Sequence, residues 1–117
     1  MYDVVAIGEL LVDFACRSTD DDGYPVLAAH PGGAPANFLA VLARYGLKTA
    51  LLAKVGNDAF GRLLRRTMER EGIDTAGVVV DDAAFTTLAF VTLDENGERD
   101  FSFARKPGAD MLLRYDE

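Results

Sequence analysis

Two short apolar runs in the first half of the chain have the pattern of buried strands. Val4 to Ile7 and Ala50 to Val55 are almost entirely aliphatic, and a glycine follows each of them. Runs of this length and composition are typical of strands that lie inside a parallel sheet, where both faces are covered. The pattern therefore predicts a parallel sheet that contains both segments.

Apolar residues recur at helical spacing in two further segments. Gly46 and Gly72 follow these segments as stop signals, and Asp58 stands at the N-cap position of the second one. The resulting order of strand, helix, strand and helix predicts an α/β fold. The apolar stripe of the first helix comprises Phe38, Leu39, Val41, Leu42 and Tyr45, and that of the second comprises Phe60, Leu63, Leu64 and Met68.

The other segments have strand patterns with no helix between them. In the last of these strands Arg99, Phe101, Phe103 and Arg105 share one face, because successive side chains alternate. An Asn-Gly pair indicates a hairpin turn before that strand. Residues 110–117 have the pattern of the opening of another helix. The predicted strands are 10–17 and 24–29, which form a hairpin, followed by 78–80, 86–93 and 98–105.

Composition narrows the range of partners and compartments. The chain has 117 residues, of which 19 are acidic and 12 basic, and its formal net charge is −7. Such a balance offers no basic surface for nucleic acid or an anionic membrane, and no apolar run is long enough to span a bilayer. The single cysteine, Cys16, cannot form an internal disulfide. It indicates a reducing, cytoplasmic setting, and we expect it to be a small filler in the sheet.

A loop before the first predicted helix is the first candidate binding element. Its sequence is Gly32-Gly33-Ala34-Pro35-Ala36-Asn37. The glycines allow a ligand to approach the backbone, and the helix start supplies unpaired N–H groups. Asn37 can offer a donor and an acceptor to a hydroxyl. The plainer alternative is a tight turn with a helix cap, with His30 as an exposed loop residue beside it.

Asp13 is the second candidate, because it follows the first predicted strand closely. Ligand sites in open α/β sheets gather at the carboxyl ends of strands. A carboxylate can accept hydrogen bonds from two neighbouring hydroxyls. An exposed aspartate on a strand is the plainer alternative. Neither the G-x-x-x-x-G-K-[ST] phosphate loop nor the G-x-G-x-x-G fingerprint is present.

In their order and spacing, these motifs resemble those of the ribokinase-like (PfkB) carbohydrate kinases. The resemblance rests on Gly8-Glu9 with Asp13, the loop 32–37, Gly46, and Val55-Gly56-Asn57-Asp58-x-Phe60-Gly61, and it extends along the whole chain. The segments 86–91, 97–99 and 101–113 are most similar to fructokinases. Leu39 departs from the family pattern, which usually has a small residue there, and we expect it to alter helix packing rather than sugar contacts.

The resemblance implies a ribokinase-like three-layer α/β/α sandwich with a small β-sheet lid. It also implies that residues 1–117 are the N-terminal part of one PfkB-type domain, with lid strands near 10–29 and 78–105. The family's catalytic base and anion hole belong to a Gly-Ala-Gly-Asp type motif far toward the C-terminus, together with the ATP site. We therefore expect no catalytic, nucleotide-binding or metal-binding residue in this segment.

By the same resemblance, the complete protein is expected to be an enzyme that transfers the ATP γ-phosphoryl group to a sugar hydroxyl with Mg²⁺. Fructose, converted to fructose 6-phosphate, is the expected substrate. The segment alone is expected to be inactive and to bind neither ATP nor Mg²⁺. The sugar-binding residues implied by the family motifs are Asp13, Gly32, Gly33, Asn37, Phe103 and Arg105.

Several alternatives remain open from the sequence. The sugar could be 2-keto-3-deoxygluconate, ribose or a nucleoside. The segment could instead be a non-catalytic module that binds sugar or oligomerises, because exposed lid strands can pair across a two-fold axis and form a homodimer. A third interpretation is a small α/β domain whose glycine-rich turns are purely structural.

Overall fold

All of residues 1–117 are described in the computed structural model, as two sheets and two α-helices. The α-helices are α1 (Ala34–Arg44) and α2 (Ala59–Arg70), and a short 3-10 helix spans Ala109–Leu112. The strands are β1 (Val4–Ile7), β2 (Leu11–Thr19), β3 (Pro25–Gly32), β4 (Thr49–Gly56), β5 (Ile73–Asp74), β6 (Val78–Asp81), β7 (Leu88–Leu93) and β8 (Arg99–Ala104).

A parallel sheet, which we call the base sheet, is built around β4. Strand β1 lies on one side of β4, and β5 and β6 follow one another along its other side. Both helices contact this sheet. The α/β fold predicted from the sequence is therefore confirmed, with α1 and α2 packed together with the strands in one apolar core.

The core lies between the two helices and one face of the base sheet. Leu51 and Val55 of β4 are fully buried there against Leu39 of α1 and Leu64 of α2. The apolar stripe predicted for α2 is largely confirmed, since Leu64 and Met68 are buried.

The stripe predicted for α1 is wrong in part. Phe38 is 55% exposed and Tyr45 82% exposed, while Ala36 and Leu39 are the buried residues of the helix. Ala40 and Ala43 also pack against the core. Small side chains allow a helix to approach a sheet closely, so α1 packs through three alanines and Leu39, with Phe38 and Tyr45 directed outward.

The opposite face of the base sheet has no α-helix upon it within residues 1–117. Val5, Ile7 and Leu52 are exposed there, so β1 is buried on one face only. Lys54 is covered by the end of the chain, and its Nζ donates to the Leu112 carbonyl at 3.2 Å. The helix predicted for 110–117 is only the single 3-10 turn.

A second sheet, which we call the lid sheet, has the order β3-β2-β7-β8. Strand β2 is antiparallel to β3 and parallel to β7, and β7 and β8 form the predicted hairpin. This sheet agrees with the lid that the resemblance implies, with one correction.

The strand at 78–81 does not belong to the lid sheet. It pairs with β4 in parallel, with Ala53 opposite Val78, because the chain crosses back over α2 and returns to the base sheet. The predicted loop at His30–Gly32 is also wrong, since these residues complete β3. Pro31 fits there because β3 is an edge strand.

The carboxylate of Asp58 connects the two sheets. As predicted, Asp58 caps α2, accepting a hydrogen bond from the Gly61 N–H at 2.7 Å. It also accepts from the N–H of Thr86 at 2.9 Å and from its hydroxyl at 2.8 Å. The same hydroxyl accepts from the Gly56 N–H at 2.9 Å. One side chain thus joins the end of β4, the start of α2 and the segment that enters β7.

Hydrogen bonding also sets the charge state of Asp58. Burial alone would raise the pKa of this carboxyl, but donors from Thr86 and Gly61 outweigh it and lower the pKa below its ordinary value. A lowered pKa in the folded state stabilises the fold above the unfolded-state pKa. That contribution is lost as the pH falls through the folded-state pKa.

We predict that Asp58→Ala lowers the free energy of unfolding by about 2–4 kcal/mol, because it removes a cap and leaves the buried Thr86 N–H unpaired. Urea denaturation at pH 7 measures this, with Asp21→Ala in the exposed β2–β3 turn as the control. The advantage of the native protein over Asp58→Asn should shrink in acid. If Asp58→Ala were as stable as the control, the hydrogen bonds of Asp58 would not stabilise the connection between the two sheets.

Candidate functional site

The lid sheet brings two of the predicted site residues onto one face. In the register of this sheet Asp13 is opposite His30 on one side and Ala89 on the other, and Ala89 is opposite Phe103. Residues in register on neighbouring strands point to the same face, and adjacent strands are about 5 Å apart. Asp13 and Phe103 therefore face the same side, two strands apart.

A cavity of about 440 Å³ lies on this face of the lid sheet. Its wall is mainly apolar, with a carboxylate at one place and a guanidinium at another. Asp13 is the only predicted site residue that lines it. The lining residues are Asp13, Ala15, Cys16, Val91, Leu93, Arg99 and Phe101.

Cys16 differs from its prediction as a small filler in the sheet. It lies in β2 but is exposed, and it borders this cavity. The pairing of β2 with β3 shifts register between Cys16 and Ser18. Such an irregularity turns a strand locally and accounts for a small apolar side chain that is not covered by the sheet's packing.

Gly32 and Gly33 fit tightly against the segment that follows β1. A Cβ on Gly32 would overlap the Asp13 carboxylate, and one on Gly33 would lie 2.5 Å from the Glu9 carbonyl oxygen. Gly33 also has φ 109°, which favours glycine. These glycines therefore have a structural role, and they also keep the backbone close to Asp13.

The N-terminus of α1 begins at this point. Gly33 is its N-cap and supplies no side-chain hydrogen bond, so no side chain caps the N–H groups of the first turn. Asn37 lies in that first turn and is exposed. The loop thus combines a close-packed glycine pair with an open helix start, as the sequence indicated.

Arg105 lies at the end of the strand that carries Phe103. Its Nη2 donates to Glu9 at 2.9 Å and to Asp110 at 2.8 Å, and its guanidinium is 5.1 Å from the centroid of the Phe103 ring. Burial would lower the pKa of Arg105, but the hydrogen bonds and charges of Glu9 and Asp110 outweigh it and raise the pKa. The guanidinium is therefore held permanently charged between two carboxylates.

Asp110 continues this arrangement toward the segment that enters β7. Its carboxylate accepts a hydrogen bond from the Thr87 hydroxyl. Thr87 is fully buried and follows Thr86, which Asp58 holds. The contacts thus run from Glu9 through Arg105 and Asp110 to the start of β7.

Glu9 and Asp110 are functional candidates that the sequence interpretation did not single out as site residues. Both lie inside motifs that the resemblance used, Gly8-Glu9 and the segment 101–113. The signal that could have found them is an acidic residue directly after a buried strand and another a few positions after a candidate arginine.

Asp13 has an unusual electrostatic setting. Burial raises the pKa of its carboxyl, the charge of Glu9 raises it further, and His30 acts in the opposite direction. No hydrogen bond contributes to this shift, so the carboxylate is free to accept hydrogen bonds from a ligand.

Neither a metal-binding cluster nor an excess of positive charge is found around Arg105. No group of three or more His, Cys, Asp and Glu side chains is arranged to hold a metal ion. Near Arg105 the carboxylates outnumber the guanidinium, and such a charge balance repels phosphates.

Within this chain no helix is both long and apolar enough to cross a bilayer.

Comparison with protein families and curated proteins gives consistent results. The model for the pfkB family carbohydrate kinases matches residues 1–116. Fructokinase-1 of Zea mays is 46% identical over 116 residues, which are 97% of this chain and 36% of the maize protein. Probable fructokinase-3 of Arabidopsis thaliana is 43% identical, with 97% and 34% covered. The chain thus spans about a third of the length of these relatives.

Solved structures show the same fold over this length. A fructokinase from Xylella fastidiosa superposes with a TM-score of 0.90 at 38% identity, covering 95% of this chain and 34% of that one. A fructokinase from Halothermothrix orenii gives 0.85 at 35%, covering 98% and 41%. A putative ribokinase II from E. coli, in complex with ATP and Mg²⁺, gives 0.85 at 33%, covering 97% and 37%. The ribokinase-like fold is confirmed.

The raised pKa of Asp13 predicts an effect on stability. A carboxyl whose pKa is raised by folding destabilises the folded state at a pH above that pKa, and the penalty disappears as the pH falls. Asp13→Asn should therefore raise Tm at pH 7, by a few degrees at most, and should have no such effect in acid. Thermal unfolding with Asp21→Asn as control tests this. A lowered Tm at pH 7 would show that Asp13 stabilises the fold.

Proposed function

Because the chain belongs to the pfkB family of carbohydrate kinases, we propose that its protein transfers the γ-phosphoryl group of ATP to fructose and forms fructose 6-phosphate. The main structural support is the free Asp13 carboxylate, which lies on the same face of the lid sheet as Phe103. Arg105 follows the end of β8, the strand that carries Phe103. The fructokinase relatives at 43–46% identity support the choice of sugar.

The lower part of the proposed site recognises the sugar hydroxyls. Asp13 accepts hydrogen bonds from two neighbouring hydroxyls, and Gly32 and Gly33 let the sugar approach the backbone. Asn37 and the open N-terminus of α1 add donors to the same edge. Together these groups hold the sugar in one orientation, which is the main contribution a protein makes to phosphoryl transfer.

The upper part of the proposed site is the lid sheet. Phe103 offers an apolar surface beside the Arg105 guanidinium, whose Nη1 N–H groups donate to hydroxyls. A sheet above the sugar also excludes bulk water, which would otherwise compete with the sugar hydroxyl for the phosphoryl group.

ATP supplies the phosphoryl group, and Mg²⁺ assists its transfer. We propose that residues 1–117 form the N-terminal part of one kinase domain and that the nucleotide, metal and catalytic base are held by the remainder of that domain. The segment alone is then inactive. This is supported by the charge balance around Arg105 and by the third of the relatives' length that the chain spans.

The lid sheet also offers a surface for a second copy. Strand β3 is an edge strand that exposes Val26 and Leu27, and Tyr24 is exposed just before it. Unpaired apolar edges favour pairing with another strand, so we propose a homodimer through this edge.

We propose that the reaction takes place in the cytoplasm. Cys16 is an exposed free thiol, and free thiols are typical of a reducing compartment.

A panel of sugars with the full-length protein tests the substrate. Fructose should be phosphorylated with a higher kcat/KM than ribose, 2-keto-3-deoxygluconate or nucleosides, which are the alternatives within the family. Robust turnover of another sugar without turnover of fructose would refute the fructokinase assignment. Sugar binding without phosphorylation of any sugar would favour a non-catalytic role.

We predict that Asp13→Ala lowers kcat/KM for the sugar about 30- to 1000-fold, because it leaves two hydroxyls poorly paired, at a cost of about 2–4 kcal/mol. Arg105→Ala should raise the KM for the sugar and leave the KM for ATP nearly unchanged. Steady-state kinetics with Asp21→Ala as control measures both. Unchanged efficiency of Asp13→Ala would remove Asp13 from the site.

A further inference from the structure

Arg105 lies between two acidic side chains of the proposed site. Its Nη2 donates to Glu9 at 2.9 Å and to Asp110 at 2.8 Å. Glu9 also acts on Asp13 through its charge. One guanidinium therefore faces two bonded carboxylates, and a third lies near one of them. A receptor for an anionic ligand has the opposite balance, with cations in excess.

The contacts with Glu9 and Asp110 balance the positive charge of Arg105 but do not use all of its N–H donors. Both contacts are made by Nη2, which has two N–H bonds, so this nitrogen is fully used. Nη1 makes no contact with either carboxylate, and Nε is buried without a partner. The two N–H groups of Nη1 are left to donate to hydroxyls. A carboxylate or phosphate on the ligand would gain little attraction from Arg105, because Glu9 and Asp110 already neutralise the charge of its guanidinium.

The two carboxylates differ in how firmly they are held. The Asp110 side chain is 3% exposed and is anchored by the Thr87 hydroxyl. The Glu9 side chain is 41% exposed, whereas that of Arg105 is 24% exposed. Asp110 is therefore the fixed counter-ion, because a ligand anion could not displace it into water. Glu9 is the outer one.

From this arrangement we propose that Asp110 and Glu9 determine the substrate class of the site. They neutralise Arg105, so that it donates to the hydroxyls of uncharged sugars, and they exclude sugars that carry a carboxylate. This inference rests on the proposed function and adds two specificity-determining residues to it.

Removing one negative charge should weaken the exclusion without removing the donors. In Asp110→Asn, the amide oxygen can still accept from the Thr87 hydroxyl, whereas the amide nitrogen cannot accept from Arg105 Nη2, so this N–H becomes free for a ligand. Glu9→Gln changes a half-exposed position and tests the same idea where the fold is less at risk. Glu71→Gln is the matched control, because Glu71 pairs with Arg44 at 3.2 Å on α1, away from the lid sheet.

The experiment measures kcat/KM of the full-length protein for D-fructose and for 2-keto-3-deoxygluconate, at low and at high salt. The native protein should favour fructose. Asp110→Asn should lower the ratio of the two kcat/KM values about 10- to 100-fold at low salt, mainly through a lower KM for the sugar acid. Glu9→Gln should change it less in the same direction, and Glu71→Gln should leave it unchanged. Salt should reduce these differences.

Three outcomes would count against the inference. A variant that loses activity equally toward both sugars, with an unchanged ratio, would show a purely structural role. A native protein that prefers the sugar acid would overturn the inference while leaving the kinase activity intact. Absence of phosphorylation of any sugar would instead refute the proposed function, and this inference with it.

Discussion

The carboxylate of Asp58 holds the two sheets of the molecule together. It accepts one hydrogen bond from α2 and two from Thr86, and the Thr86 hydroxyl in turn accepts from the end of β4. These bonds tie the segment that enters β7 to the end of β4 and to the start of α2. The position of the lid sheet relative to the base sheet therefore depends on a side chain that lies outside the proposed sugar site.

The same segment leads directly into the charged cluster of the proposed site. Thr87, next to Thr86, donates to Asp110, which pairs with Arg105. Thr86, which bonds to Asp58, is thus adjacent to Thr87, which holds the counter-ion of Arg105. Positioning of the lid sheet and the charge balance of the site are carried by two consecutive threonines, both fully or almost fully buried.

The sequence predicts features that lie within one helix or strand, but it does not predict contacts between elements that are distant along the chain. Helical spacing predicted α2 and its cap at Asp58, because both are local. The strand at 78–81 was assigned to the wrong sheet, because an apolar run does not specify its partner. Glu9 was missed as a partner of Arg105 because 96 positions separate them and only the folded lid sheet brings them together.

The most direct test of the central claim, a sugar site between the start of α1 and the lid sheet, is a crystal structure of the full-length protein with D-fructose. We expect two sugar hydroxyls within hydrogen-bond distance of the Asp13 carboxylate and a third hydroxyl near the Nη1 N–H groups of Arg105. Fructose bound elsewhere, or bound here without contact to Asp13, would contradict it.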